Sequence, residues 1–242
     1  MVISRALERL LVALLLVFAI PLGARTRAAR PPECILWIGA HPDDEILVSP
    51  ILGRACVERG AQCAMLVMRR GEGGGAAEVR SMEMARAAET LHAALTHWTL
   101  PDVFGDVDAA WSAAAGGHAA LVARIASEIA AVSPTLIYTF DPHHGSTCHP
   151  AHRALGALVL EAAPPNIPIY LVETTDQFRS AVAEPIVVDA TSTWFYFVRD
   201  AQIHASQFPP EQVDMFASLA AEQRRVWLID SRTRATYTLA CN

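Results

Sequence analysis

Short apolar runs alternating with helix-patterned stretches constrain this chain more than any other feature. Cys34–Gly39, Gln62–Met68, Thr135–Phe140 and Ile167–Val172 are nearly unbroken apolar runs. Between them lie Glu45–Glu58, Glu78–Leu95, His118–Ala131 and Ala151–Ala162, each patterned as a helix. Strands that read as continuous apolar runs have both faces covered, and the alternation indicates βαβ units with a mostly parallel sheet. A further strand is expected near Thr96–Leu100, and Ser133-Pro134 should stop the helix before it. The tail breaks the pattern. Glu184–Asp189, Arg225–Asp230 and Thr233–Leu239 read as strands, and Thr191–Ser206 reads as helical. The short polar turn Ser231-Arg232 predicts an antiparallel hairpin. The expected fold is therefore α/β and Rossmann-like: a mostly parallel sheet, helices on both faces, and antiparallel strands at the C-terminal end.

That layout says where chemistry belongs, because open α/β sheets bind ligands outside the carboxyl ends of their strands. Ala40-His41-Pro42-Asp43-Asp44-Glu45 leaves the first strand at this edge. Asp141–His152, ending in His149-Pro150-Ala151-His152, leaves the Thr135–Phe140 strand at the same edge. The two polar clusters are thus expected to converge. The glycine-rich loop Arg69–Ala77 leaves the second strand on the same rim.

These residue types suit a catalytic metal. Zinc in such sites takes three N or O ligands and keeps one position open. His41 and Asp44, three residues apart on a turn stiffened by Pro42, can face one ion. A histidine from Asp141–His152 would complete the set. A bound divalent ion lowers the pKa of coordinated water from 15.7 to about 7. Hydrolysis then needs a base and an oxyanion donor. Asp43, beside Asp44, is placed to be the base, and His149 to be the donor. Glu45 reads as a carboxylate at a helix start, favoured by the dipole. His143 and His144 read as rim residues, and His204 as a packing or capping residue. Pro101–Gly117 reads as a loop, and Trp111 within it, among Asp102, Asp106 and Asp108, reads as ordinary packing or as the wall of a pocket.

Composition narrows the class. At 242 residues, 52% hydrophobic, the chain can bury a full core. A formal net charge of −6 argues against nucleic acid as a partner. Arg5 and Arg9 precede the apolar run Leu10–Ile20, with Pro21, Gly23 and Ala24 after it. Residues 1–29 therefore read as a signal peptide or an uncleaved N-terminal anchor, followed by a single domain from 30 to 242. Export places the protein outside the cytoplasm, with membrane contact only through that segment if it is retained. Of the five cysteines, Cys56 and Cys63 suit a short disulfide loop or two small buried side chains.

Ala40–Glu45 and His149–His152, in this order and context, resemble the PIG-L/LmbE-like zinc-dependent de-N-acetylases. The resemblance spans roughly Ile35 to Val172, and more weakly His204-Ala-Ser-Gln207. It implies His41, Asp44 and His152 as Zn2+ ligands, with other divalent metals suited to the same donors. It implies Asp43 as general base, and His149 as oxyanion donor or proton donor to the leaving amine. Arg80, with Glu83 one turn on, matches an arginine that contacts the substrate's polar aglycone. The implied reaction removes an N-acetyl group from an N-acetylglucosamine-type glycoconjugate, either a small molecule or a lipid-linked amino sugar. Two features depart from the family pattern. Ala151 replaces an acidic or polar residue between the histidines, and Ser146-Thr147-Cys148 stands where some members carry a mobile tyrosine.

Other chemistries fit less well. A dinucleotide enzyme needs G-x-G-x-x-G in the first turn, which here is carboxylate-rich, and a serine hydrolase needs a G-x-S-x-G elbow that is absent. An exported glycan- or metal-binding protein on the same scaffold would have no use for Asp43. An amidase acting on a related non-acetyl amide would use the same residues.

Overall fold

The computed structural model describes residues 33–71, 77–103, 105–173, 185–233 and Cys241. The N-terminal segment read as a signal peptide and nearly all of the Thr233–Leu239 strand lie outside the described residues. Seven strands form one sheet in the order β3-β2-β1-β4-β5-β7-β6. They are β1 (Cys34–Gly39), β2 (Gln62–Val67), β3 (Ala93–His97), β4 (Leu136–Phe140), β5 (Ile169–Glu173), β6 (Ile186–Asp189) and β7 (Arg225–Asp230). The first five are parallel neighbours. β7 pairs antiparallel with both β5 and β6. The sheet is therefore mixed, as the tail pattern predicts. β7 reaches its place by lying between β5 and β6, whatever follows Ser231.

Helices cover both faces. One layer holds α3 (Val107–Ala114), α4 (His118–Val132) and α6 (Pro150–Ala162), with the one-turn α5 (Gly145–Cys148) before α6. The other holds α1 (Ser49–Leu52), α2 (Ala77–Thr90), α7 (Trp194–Ile203) and α8 (Pro210–Ser218). Ile35 to Ile38 of β1 are buried, and Trp37 meets Phe140 of β4 edge-to-face with centroids 5.4 Å apart. Central strands of a doubly covered sheet bury every side chain, which is why β1 reads as an unbroken apolar run. Gly156 lets α6 close on β4: a Cβ there would stand 2.3 Å from the Phe140 carbonyl oxygen.

Three local expectations need correction. Glu45–Glu58 is not one α-helix; it is a 3-10 turn (Asp44–Leu47), then α1, then a π-helical turn (Gly53–Glu58). The helix expected to run to Leu95 ends at Thr90, and β3 starts at Ala93 rather than near Thr96. His92 at φ 52 breaks the helix in a left-handed turn, and the apolar Ala-rich sequence around it suits helix and strand alike. The stretch Pro101–Gly117 is not a loop throughout, since Asp106 caps α3 by accepting from the Ala109 N–H at 3.0 Å. Trp111 is buried in α3, donating to the Pro101 carbonyl, so packing is its role.

Candidate active site

β1 and β4 lie side by side, and the chain leaves them in opposite lateral directions: β1 leads to β2 and β3, β4 to β5. A crevice forms at such a switch point. The turn after β1 and the loop after β4 meet there. His41 Nδ1 lies 3.2 Å from His152 Nε2, and His152 Nε2 lies 3.1 Å from Asp44 Oδ1. His41 Nδ1 is 3.4 Å from Asp44 Oδ2. Donors around a tetrahedral zinc with bonds of ~2.0–2.2 Å stand ~3.3 Å apart, so the His41–His152 and His152–Asp44 Oδ1 separations suit such an ion, while the contact from His41 is to the other oxygen, Asp44 Oδ2.

The donors are also oriented for a cation. His152 Nδ1 faces the Gly145 carbonyl at 2.9 Å, which draws the ring proton there and leaves the Nε2 lone pair toward the triangle. Phe140 stacks on the same ring, with centroids 3.9 Å apart and planes 4° apart. Gly145 itself needs its φ of 55; a Cβ there would sit 2.8 Å from the His152 Cβ. Asp44 Oδ2 accepts the Ala40 and His41 N–H groups at 2.8 and 2.7 Å. Oδ1 is left to face His152. Burial opposes ionisation of Asp44, yet the charge and hydrogen bonds of His152 and His41 outweigh it and hold the carboxyl well below its usual range. Burial lowers His41. It would lower His152 as well, but Asp44 reverses the sign.

Asp43 is not one of these donors, although it stands beside them. Its backbone sits at φ 102 and ψ −17, a region that costs a non-glycine residue roughly 1–3 kcal/mol. Arg80 Nη2 lies 3.2 Å from Asp43 Oδ2 and donates to the Pro42 carbonyl at 2.8 Å. Burial, then the neighbouring Asp44, pushes the Asp43 carboxyl up to about 7. A cation in the triangle would draw it back toward the ordinary carboxylate range.

His149 is the N-cap of α6, and its Nδ1 accepts the Ala151 N–H at 3.2 Å. A neutral ring with an accepting Nδ1 carries its proton on Nε2 and donates from there. Its centroid is 4.7 Å from that of His41 and 4.8 Å from that of His152. Burial, then the two neighbouring imidazoles, pulls its pKa down to about 4, so it is a neutral donor near pH 7. His41, His149 and His152 together form one of three His/carboxylate groupings among the described residues close enough to hold an ion.

The other two groupings bring in residues that sequence reasoning set aside. Glu45, Asp200 and His204 are sealed, at 0%, 2% and 0% exposure. Glu45 does lie in the first turn of the 3-10 segment, and it is also buried and paired: its Oε1 meets His204 Nε2, and its Oε2 accepts the Asp43 N–H at 3.2 Å. His204 caps α7 through its backbone, as a capping residue would, but its ring reaches back to the first turn. The i, i+4 spacing of Asp200 and His204 on α7 was the available signal. Asp141, His144 and Glu173 form the third grouping, also buried. Asp141 Oδ2 accepts the His144 N–H at 2.8 Å, shaping the loop that presents the Gly145 carbonyl. His144 is therefore not a rim residue, whereas His143 is exposed.

Arg80 is buried rather than solvated, held on Pro42, Asp43 and the Gly71 carbonyl. Glu83 accepts from the Ser206 N–H and hydroxyl at 2.9 and 2.6 Å. Two disulfides form among the described residues, one at the far edge of the sheet and one beside the site. Cys56–Cys63 forms as the short loop closure allows, and Cys148–Cys241, unanticipated from the sequence, ties the loop after β4 to the chain's C-terminal end.

Comparison with solved structures places this geometry in a known fold. The 4-carboxy-2-hydroxymuconate hydratase from Pseudomonas putida KT2440 superposes with a TM-score of 0.65 at 18% identity, over 86% of this chain and 100% of that one. An N,N'-diacetylchitobiose deacetylase from Pyrococcus horikoshii gives 0.60 at 17%, over 83% and 85%. The deacetylase of the A40926 pseudoaglycone gives 0.61 at 21%, over 83% and 98%. No curated protein sequence matches the chain. At these identities the likeness is one of fold, and hydratase and deacetylases share it. The PIG-L family profile, GlcNAc-PI de-N-acetylase, matches residues 36–163, more than half of the sequence, and spans both motifs. The chain belongs to the PIG-L family.

Proposed function

We propose that this protein is a metal-dependent hydrolase that removes the N-acetyl group from an N-acetylglucosamine-type glycoconjugate. The observation that carries this reading is a donor triangle flanked by a carboxylate and a neutral imidazole N–H that take no edge of it. His41, Asp44 Oδ1 and His152 would hold Zn2+ or another divalent ion, with Asp44 ionised and His152 presenting Nε2. Such an ion would supply Lewis acidity and an activated water. Asp43 takes a proton from the attacking water and returns it to the leaving nitrogen. His149 Nε2–H donates to the carbonyl oxygen as it becomes negative. A neutral His149 suits oxyanion stabilisation better than proton delivery, which leaves the latter to Asp43. Water and the amide give acetate and a free amino sugar.

The family match and the deacetylase neighbours support the reaction class. A cleft of about 480 Å³ walled by Trp194, Phe197, Phe216 and Trp227 reaches Leu47, in the turn that carries Asp44. Glu173, Glu222, Gln223 and Arg225 line it as well, so it suits a substrate with both polar and apolar parts, such as a lipid-linked amino sugar. Two disulfides support residence outside the cytoplasm, as the N-terminal segment implies. Arg80, engaged with Asp43, is better suited to holding the base than to gripping an aglycone.

The test is acetate release from a panel of N-acetylhexosamine conjugates, with metal content measured on the same sample. Stoichiometric divalent metal with acetate release from at least one conjugate is expected. Metal retention with no acetate from any conjugate would instead favour a binding protein, or an amidase acting on another acyl group.

A further inference from the structure

Asp43 occupies a backbone conformation that an L residue avoids, so its neighbours must impose it. Two side chains touch it: Glu45 accepts its N–H, and Arg80 meets both its carboxylate and the Pro42 carbonyl just before it. Glu45 and the helix that carries Arg80 are both held by the same segment, just after α7. His204 Nε2 pairs with Glu45 Oε1. Two residues on, Ser206 donates twice to Glu83, which lies one turn beyond Arg80 on α2. His204 Nδ1 stands 4.0 Å from Glu83 Oε2, so the two arms lie side by side. Glu45, Glu83 and His204 are all buried, so water does not compete for these contacts.

We propose that His204 and Ser206 are positioning residues: they form a clasp that holds Asp43 in its strained orientation over the donor triangle. The clasp rests on the reading of Asp43 as the base. His204 touches neither the triangle nor the crevice; it acts through Glu45. Ser206 acts through Glu83, on the helix that carries Arg80. The tail of the chain thereby sets the aim of a residue more than 150 positions earlier, His204 and Glu45 being 159 apart.

The experiment compares His204→Leu and His204→Gln in the full chain, by crystal structure and by steady-state kinetics with metal content. Leucine keeps volume and removes the donor, whereas glutamine can still donate to Glu45. In H204L, Asp43 should relax to negative φ and lose Arg80. The kcat should then fall about ten- to hundredfold, with KM and metal content unchanged. H204Q should keep the positive φ and recover most of kcat. If H204L does not fold, Ser206→Ala reports on the other arm, and a several-fold lower kcat at unchanged KM is expected. Positive φ with wild-type kcat in H204L, or wild-type kcat in S206A, would overturn the clasp. A wild-type protein that releases no acetate would defeat the functional reading instead, and the Asp43 φ in H204L would still decide the clasp.

Discussion

Asp44 and Glu45 are adjacent carboxylates with opposite surroundings. Asp44 belongs to a triangle open at the crevice, where His152 turns a lone pair inward and the Asp44 Oδ1 faces it. Glu45 belongs to a sealed cluster in which its partner, His204, already meets it directly. Both clusters bring histidine and carboxylate together at short range, and each gives histidine to a grouping close enough to hold an ion: His41 and His152 with His149, and His204 with Glu45 and Asp200. They differ in whether the lone pairs are available and whether the group can be reached. The electrostatics diverge accordingly. His152 and His41 hold Asp44 ionised, whereas burial, then Glu45, pushes Asp200 well above the carboxylate range. Metal competence thus resides in orientation and access, and a cluster lacking both serves as a brace.

The largest effect that would break this contrast is loss of metal. His152→Ala should weaken metal binding by more than the 10–100-fold typical of losing an outer partner. His204→Gln should leave metal content unchanged. Metal analysis after dialysis checks both, and metal lost from H204Q would make the sealed cluster a second metal site.

A smaller effect separates the clusters by pH. Burial would lower His204, but Glu45 outweighs it and raises its pKa to about 9. Asp200 on its own helix, Glu83 on α2 and Asp43 also face it. A group raised from 6.5 in the unfolded chain stabilises the fold fully below that pH. The stabilisation is lost as pH rises through 9, and a rise of this size amounts to at most about 3 kcal/mol. Urea unfolding should therefore show stability falling between pH 6.5 and 9.5 in the wild type, with a flatter profile in H204Q. Equal slopes would contradict the ion pair.

The smallest effect concerns strain. Glycine tolerates the φ of 102 at position 43 and alanine does not. Asp43→Gly should be more stable than Asp43→Ala by about 1 kcal/mol, and both should lack activity. Equal melting curves would argue that the turn is not strained.

The difference between the clusters also explains what the sequence discloses. β1 falls where its apolar run predicts because a central strand has no polar face to blur the pattern, and β7 falls where predicted around the apolar run Val226–Ile229. His41 and Asp44 are legible because they follow the end of β1 directly, and His152 because the loop after β4 leads to it from the same sheet edge. β3 is displaced because Leu91-His92-Ala93-Ala94 suits helix and strand equally, and only the left-handed His92 separates them. α8 escapes notice although Pro209-Pro210 is a helix-start signal. Arg80, Glu83 and His204 are opaque for another reason. Their partners come from elements far apart in the chain, and a buried ion pair formed by tertiary packing leaves no local pattern. The Cys148–Cys241 bridge, 93 residues apart, is equally hidden.

The central claim is that Asp43 performs proton transfer while its neighbour Asp44 holds the metal. Asp43→Asn keeps the side chain's shape and removes its basicity. On a conjugate that the wild type deacetylates, metal content should match wild type while acetate release falls at least about a hundredfold. Turnover near wild type with full metal content would contradict the assignment of Asp43 as the base.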